Sequence, residues 1–297
     1  MEKIKRTIGF IFTHPLSKKH LLKSIYRFIF WQLQSSISPG KFIVKSYVQG
    51  VKFYARKGLT GITGNIYTGL HEFDEMAFLL HFLNENDTFF DVGSNVGSYT
   101  LLASGVRGAK SVAIEPVKST FDILTKNIEL NKLQDKVSLL NSGVGSEQGT
   151  LFFSSNEDTT NHVIAFNETN RDHTTEVPVI TVDSLSTKTQ PILIKIDVEG
   201  YETEVLKGMS QILASPSLKS IIIELNGSGA RYGYNENQIH ELLLINCFKA
   251  YNYDPFRRAL TATSKFGKSN TLYCRDLDFI NNRIKNAPGV KIIGELI

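Results

Sequence analysis

The chain has 297 residues, 41% hydrophobic and 21% charged, a balance that describes a globular protein able to bury a core without disulfides. Its two cysteines, Cys247 and Cys274, match no metal or redox spacing, so a reducing cytoplasm is the expected compartment. The net charge of +4 hides an asymmetry: residues 1–57 hold 12 Lys/Arg and one Asp/Glu (+11), and the other 240 hold 21 and 28 (−7).

The basic character therefore belongs to the N-terminal segment. Within it, Leu21, Leu22, Ile25, Phe28, Ile29 and Trp31/Leu33 recur at helical spacing, with Lys19, Lys23 and Arg27 opposite. Such a helix either packs its stripe on the core or lies on an anionic membrane, giving residues 1–35 a peripheral contact with the inner membrane face. No run approaches the ~20 apolar residues of a membrane crossing. Ile8 to Phe12 is too short for a signal peptide and runs into His14-Pro15.

Residues 40 to 70 suggest short strands and glycine turns, as in Val44–Val48 and Gly58 to Gly64. A helix is expected over Glu72–Asn84, with Phe73, Met76, Ala77, Leu80 and Leu83 on one side. Strand and helix then alternate: strands at Phe89–Val92, Ser111–Ile114, Val137–Leu140, Ile192–Ile196 and Ile221–Leu225; helices at Gly97–Ser104, Phe121–Leu130, Glu199–Leu213 and Glu236–Ile245. Two late strands fall near Ala250–Tyr253 and Thr271–Cys274. This alternation is the signature of an α/β fold with a doubly wound, mostly parallel sheet. The expected division is an N-terminal basic extension, 1–70, and a main domain, 71–297. The latter carries an insertion, 149–190, with β-like runs at Thr150–Phe153 and Val177–Val182.

In an open parallel sheet the ligand sits beyond the carboxyl ends of the strands, and the loop after the first strand must be lean. Here that loop reads Asp91-Val92-Gly93-Ser94-Asn95-Val96-Gly97. It lacks the G-x-G-x-x-G of dinucleotide sites and the G-K-[ST] of triphosphate loops. The acid ahead of its glycines suits a ligand with a cationic amine and no phosphate. Glu115 ends the next strand, 18 residues after Gly97, where a carboxylate accepts the hydroxyls of a ribose. The two acids together describe a nucleoside carrying an amino acid, which is S-adenosylmethionine; the alternative is a purely structural turn.

The stretches FFDVGSNVGSYTLLAS, AIEP, LIKIDVEGYETEVLKG and IIIEL, in this order across roughly Glu72 to Asn226, resemble the FkbM family of class I methyltransferases. The resemblance implies a Rossmann-like, seven-stranded sheet and methyl transfer to oxygen, often a hydroxyl of a sugar or polyketide. It also implies that Asp91, Gly93, Asn95 and Gly97 surround the methionine part and Glu115 the ribose. Ser142 and Gly143 then fall at the adenine edge, although no acid follows the third strand where many methyltransferases hold adenine. Glu72, in Tyr67-Thr68-Gly69-Leu70-His71-Glu72, resembles a family element near the methionine end and also fits as an early helix acid.

Groups for the acceptor should come from the same edge. Asp197 and Glu199 follow the fourth strand, and Glu224 and Asn226 end the fifth. Asp197 is a candidate base or amine ligand, or else a helix cap; Glu199 is a catalytic group or a helix-dipole partner. Asp197, Glu224 and Asn226 together would suit a divalent cation such as magnesium. His162, within the insertion, is a candidate base unless it is merely solvated, and His173 has a lower claim. A small-molecule or glycan hydroxyl is the expected acceptor. Nucleic acid is not, because the basic residues accompany an apolar stripe and no aromatic–basic platform is present. A dinucleotide-dependent oxidoreductase and a non-catalytic binding module remain the alternative readings.

Overall fold

The computed structural model describes residues 2–154, 161–165, 174–186, 189–267 and 269–297. Its centre is an eight-stranded sheet of β1 (Thr88–Val92), β2 (Lys110–Ile114), β3 (Val137–Leu140), β4 (Leu193–Ile196), β5 (Ser220–Leu225), β6 (Lys249–Asp254), β7 (Ala259–Ala262) and β8 (Ser269–Cys274). The order is β7-β6-β8-β5-β4-β1-β2-β3. Strands β3, β2, β1, β4 and β5 run parallel, and β8 lies antiparallel between β5 and β6. The seven expected strands are all present. The eighth, β7, arises because Asp254 Oδ1 accepts the Phe256 and Arg257 amides, turning the chain back as a hairpin on β6.

Both faces of the sheet are covered, which is why its strands read as near-continuous apolar runs. Along β1, Phe89 packs on one side among Met76, Leu79, Ile280 and Ile284. Phe90 packs on the other among Val205, Leu206, Leu213 and Leu243. The first layer comes from helices Phe73–Phe82 and Leu277–Asn286, the second from Glu202–Lys207, Ser210–Ala214 and Glu236–Ile245. Glu202–Lys207 and Ser210–Ala214 stand where the sequence predicts one helix, Glu199–Leu213. It breaks at Gly208, where a Cβ would stand 2.0 Å from Gly145 O. Helix Leu277–Asn286 was not foreseen.

Three helices, Glu2–Thr13, Pro15–Lys19 and Leu21–Ile37, open the chain, followed by a hairpin of Ile43–Ser46 with Lys52–Ala55 and a helix at Thr60–Thr68. Residues 60–68 were expected as part of a glycine turn. The helix tolerates Gly64 because the His71 ring crosses there, and a Cβ would lie 2.1 Å from its Nδ1. Trp31 and Phe28 bury against Ile62, Ile66 and Phe53, forming a third core under helix Lys118–Leu130.

Within the insertion, Gly149–Ser154 and Thr174–Ile180 pair antiparallel, and Gly143–Val144 joins the second of them in a three-stranded sheet. The run expected to extend as strand to Val182 ends at Ile180, and Val182–Ser186 is a helical turn.

Candidate active site

Period-two alternation sets the site. On one face of neighbouring strands stand Asp91 of β1, Lys195 of β4, with Asp197 two residues on, and Glu224 of β5. Lys195 is opposite Asp91 in one ladder and Ile222 in the other. These side chains climb to the carboxyl edge, where a cavity of about 1190 Å³, open mouth included, lies between the sheet, residues 61–76 and the insertion. Its lining includes Glu72, Asp91, Gly93, Asn95, Glu115, Ser142, Asp197 and Glu199.

Gly93 has φ +78°, and a Cβ on it would come within 1.8 Å of Asp197 O. Only glycine fits where β1 and β4 part. Asn95 is also left-handed (φ +50°), a conformation asparagine tolerates, and its Oδ1 accepts the Val96 amide at 2.8 Å. Gly97 does not line the cavity. It starts the next helix with φ +92°, and a Cβ there would meet Leu124 Cδ1 at 2.6 Å.

Glu115 is 7% exposed. Its Oε2 accepts the Asn95 amide and its Oε1 the Val117 amide, both at 3.0 Å. Each oxygen keeps a further lone pair for a ligand hydroxyl. Burial pushes this carboxyl up to about 7, against the two amides. Asp91, 1% exposed, accepts both the Thr100 amide (3.0 Å) and the Thr100 hydroxyl (2.6 Å) through Oδ2. Burial raises it to about 6. Glu72 Oε2 accepts from Tyr99 OH at 2.6 Å, and Ser142 Oγ donates to Pro178 O at 2.9 Å. Ser94 Oγ is buried at the cavity wall with no protein partner.

Lys195 was not foreseen. Its Nζ donates to Asp197 Oδ2 at 2.6 Å and lies 4.9 Å from the Tyr99 ring centroid. Burial alone would lower this ammonium, but Asp197, Glu72 and Asp91 hold it above its ordinary range. The signal was present: a charged residue inside Leu193-Ile194-Lys195-Ile196, a strand buried throughout, demands a partner.

The turn after β4 answers two of the alternatives. The N-cap of helix Glu202–Lys207 is Tyr201, so Asp197 is not the cap of that helix. Glu199 precedes the helix in a left-handed conformation (φ +53°). Glu202 Oε1 accepts the Val198 and Gly200 amides and fixes that turn, which leaves Glu199 on the cavity. Asp197, Glu199 and Glu224 each bring a carboxylate oxygen within 4.8 Å of the others. Burial, then Asp197, lifts Glu199 to about 7; burial, then Asp197 and Glu199, lifts Glu224 to about 9.

Other expectations are corrected. Asn226 is exposed and its Oδ1 accepts the Ser228 amide; Glu199 takes its place in the acidic group. His162 is buried and does not line the cavity, whereas Asn161 and Val163 do. Alternate residues of this extended segment, bridged at Val163 to Phe153, face opposite ways, and His162 Nδ1 lies 3.4 Å from Ser154 Oγ. His173 lies outside the described residues.

A sheet ordered β3-β2-β1-β4-β5-β8-β6 with one antiparallel strand, a bare bend after β1 and an acid at the tip of β2 defines a class I methyltransferase fold. The methyltransferase FkbM domain matches residues 91–255, and the chain belongs to that family. A hexuronic acid methyltransferase, AglP, of Haloferax volcanii is 34% identical over 161 residues, 52% of this chain and 62% of the relative. The chain thus matches less than two thirds of that relative's length. Among solved structures, a precorrin-6y C5,15-methyltransferase from Geobacter metallireducens aligns at 11% identity, over 75% of this chain and 93% of the other, with a TM-score of 0.42. A SAM-dependent methyltransferase from Agrobacterium tumefaciens aligns at 10%, over 80% and 71%, also with a TM-score of 0.42. At these scores neither likeness carries an argument.

Proposed function

We propose that this chain methylates a hydroxyl of a sugar or glycan precursor, using S-adenosylmethionine. The observation that carries the reading is the cavity itself: Glu115 on one wall and the Asp197–Glu199–Glu224 acids on another open into the same space. The residues fit the cofactor. Gly93 leaves backbone at the cavity wall where a Cβ would collide, and Ser94 Oγ is a buried hydroxyl lacking a protein partner. Glu115 has acceptor capacity left for ribose hydroxyls, and the net acidity around Asp91, Glu72 and Asp197 favours an amine and a sulfonium.

The bound cofactor supplies an electrophilic methyl group for in-line displacement. The chain positions the acceptor and takes its proton. Glu199, held near neutrality by burial and by Asp197, is the group best matched to receive the hydroxyl proton at pH 7. Glu224, held protonated by burial and the same neighbours, shares its proton with Asp197 and keeps acceptor capacity for a sugar hydroxyl. Lys195 orients Asp197 through their 2.6 Å contact. His162 has no part in this scheme.

The named activity of the Haloferax volcanii relative supports a sugar acceptor. A divalent cation would find oxygens on Asp197, Glu199 and Glu224, a donor set that suits a hard ion; no step here depends on one, and transfer before and after chelation decides it. The test is incubation of the full chain with methyl-labelled S-adenosylmethionine and a panel of neutral and uronic monosaccharides, with product mass measured. The reading predicts one added methyl on oxygen, lost in Glu199→Gln. Cofactor binding without transfer to any sugar would overturn it.

A further inference from the structure

The N-terminal helices bury one face and present a second apolar face outward. In Leu21–Ile37, Ser24, Phe28, Trp31 and Ser35 are buried. On the opposite side, Leu22 (85% exposed), Tyr26, Ile29, Phe30, Leu33 and Ile37 (82%) stand in solvent. At 100° per residue those six fall within a single arc of about 100°. Helix Glu2–Thr13 repeats the pattern, with Ile11 buried and Ile4, Ile8 and Phe12 exposed one turn apart. Scattered exposed apolar residues are ordinary, but a continuous stripe marks an interaction surface.

Charge decides what meets it. The stripe lies in the +11 segment of residues 1–57, with Lys5, Arg6, Lys18 and Lys41 exposed. A second copy of this face would bring two strongly cationic surfaces together. An anionic bilayer matches both the charge and the apolar stripe. We infer that helices Glu2–Thr13 and Leu21–Ile37 form an in-plane docking surface for an anionic lipid membrane. The helices lie flat: the inner face of Leu21–Ile37 is committed to the core, and no helix among the described residues is long and apolar enough to cross a bilayer.

The surface is built onto the cavity. Helix Glu2–Thr13 also carries Phe10, whose ring centroid lies 4.8 Å from that of His71, a cavity-lining residue. Membrane docking thus sets this residue of the cavity wall beneath a lipid-facing helix, and a lipid-carried acceptor would be presented on that side. Only this last clause rests on the methyltransferase reading; the docking itself does not.

The test is co-sedimentation of the full chain with vesicles of mixed phosphatidylglycerol and phosphatidylcholine, with phosphatidylcholine alone, and with the anionic vesicles at high salt. A triple variant, Leu22→Glu, Ile29→Glu and Leu33→Glu, is run beside the wild type, and both are checked by thermal melting and light scattering. These positions are exposed, so the melting temperature should hold. The expected result is binding to anionic vesicles about tenfold or more tighter than to neutral ones, weakened by salt, and reduced at least about tenfold in the variant. Failure to pellet with anionic vesicles, equal pelleting of the folded variant, or an oligomer that the variant dissolves without any vesicle binding would overturn the inference, the last in favour of self-association.

Discussion

Lys195 and Asp197 sit two residues apart at the end of β4, with Nζ 2.6 Å from Oδ2, and the lysine is 3% exposed. This pair sets the electrostatics of the cavity, because Lys195 also lies opposite Asp91 in the ladder between β1 and β4. Removing the cation leaves Asp91 and Asp197 facing each other without it. Lys195→Met is therefore expected to cost about 3 kcal/mol, the usual result of deleting one partner of a buried pair. Urea unfolding at pH 7 measures it. Adding Asp197→Asn should recover part of that loss, giving a non-additive cycle; a loss within about 0.5 kcal/mol would show the pair to be incidental.

The two glycines of the loop after β1 should differ in their tolerance of a methyl group. At Gly93 the added Cβ meets a backbone carbonyl at 1.8 Å, and at Gly97 the end of a leucine side chain at 2.6 Å. Both positions carry positive φ, so both substitutions strain the chain, but only the leucine can swing aside. Gly93→Ala should cost about 3 kcal/mol or more and abolish ligand binding, and Gly97→Ala should cost less and retain it. Thermal melting with and without S-adenosylhomocysteine separates the two cases.

The pH dependence of stability should run opposite to ordinary acid unfolding. Burial raises the Glu115 carboxyl to about 7 and, with Glu72 nearby, that of Glu75 to about 8. A carboxyl whose folded pKa lies above its unfolded value of about 4.5 holds its proton more tightly in the folded state. Its contribution to stability is complete below that unfolded value and is lost as pH rises through 7 to 8. The ligand-free protein should melt at a higher temperature at pH 6 than at pH 8.5, and Glu75→Gln should flatten the difference. A melting temperature that rises over this interval would contradict the assignment.

Much of the fold was legible because strands buried on both faces leave unbroken apolar runs, as in Phe89–Val92 and Ile221–Leu225, bounded by glycine or by acids. The acid at the tip of β2 and the bend at Gly93 could be read for the same reason, since their spacing follows strand geometry. Three-dimensional pairing could not. Lys195 is one charge in an apolar run, and only the register places it across from Asp91. Asn226 continues in sequence the row begun by Glu224, but the chain turns at Gly227, whose φ is +87°. His162 has the right chemistry on the wrong side of its segment, a matter of parity that composition does not reveal. The stripe of residues 21–33 was read as one apolar side. It is two, because Phe28 and Trp31 face the core, and Leu22, Ile29 and Leu33 do not.

The most direct test of the central claim is isothermal titration of S-adenosylhomocysteine into the full chain and into Glu115→Gln. The account predicts one site on the wild type and an affinity about tenfold or more weaker in the variant, which loses a charged acceptor for the ribose hydroxyls, with both proteins folded by circular dichroism. No heat with the wild type, or equal affinity in the two proteins, would contradict it.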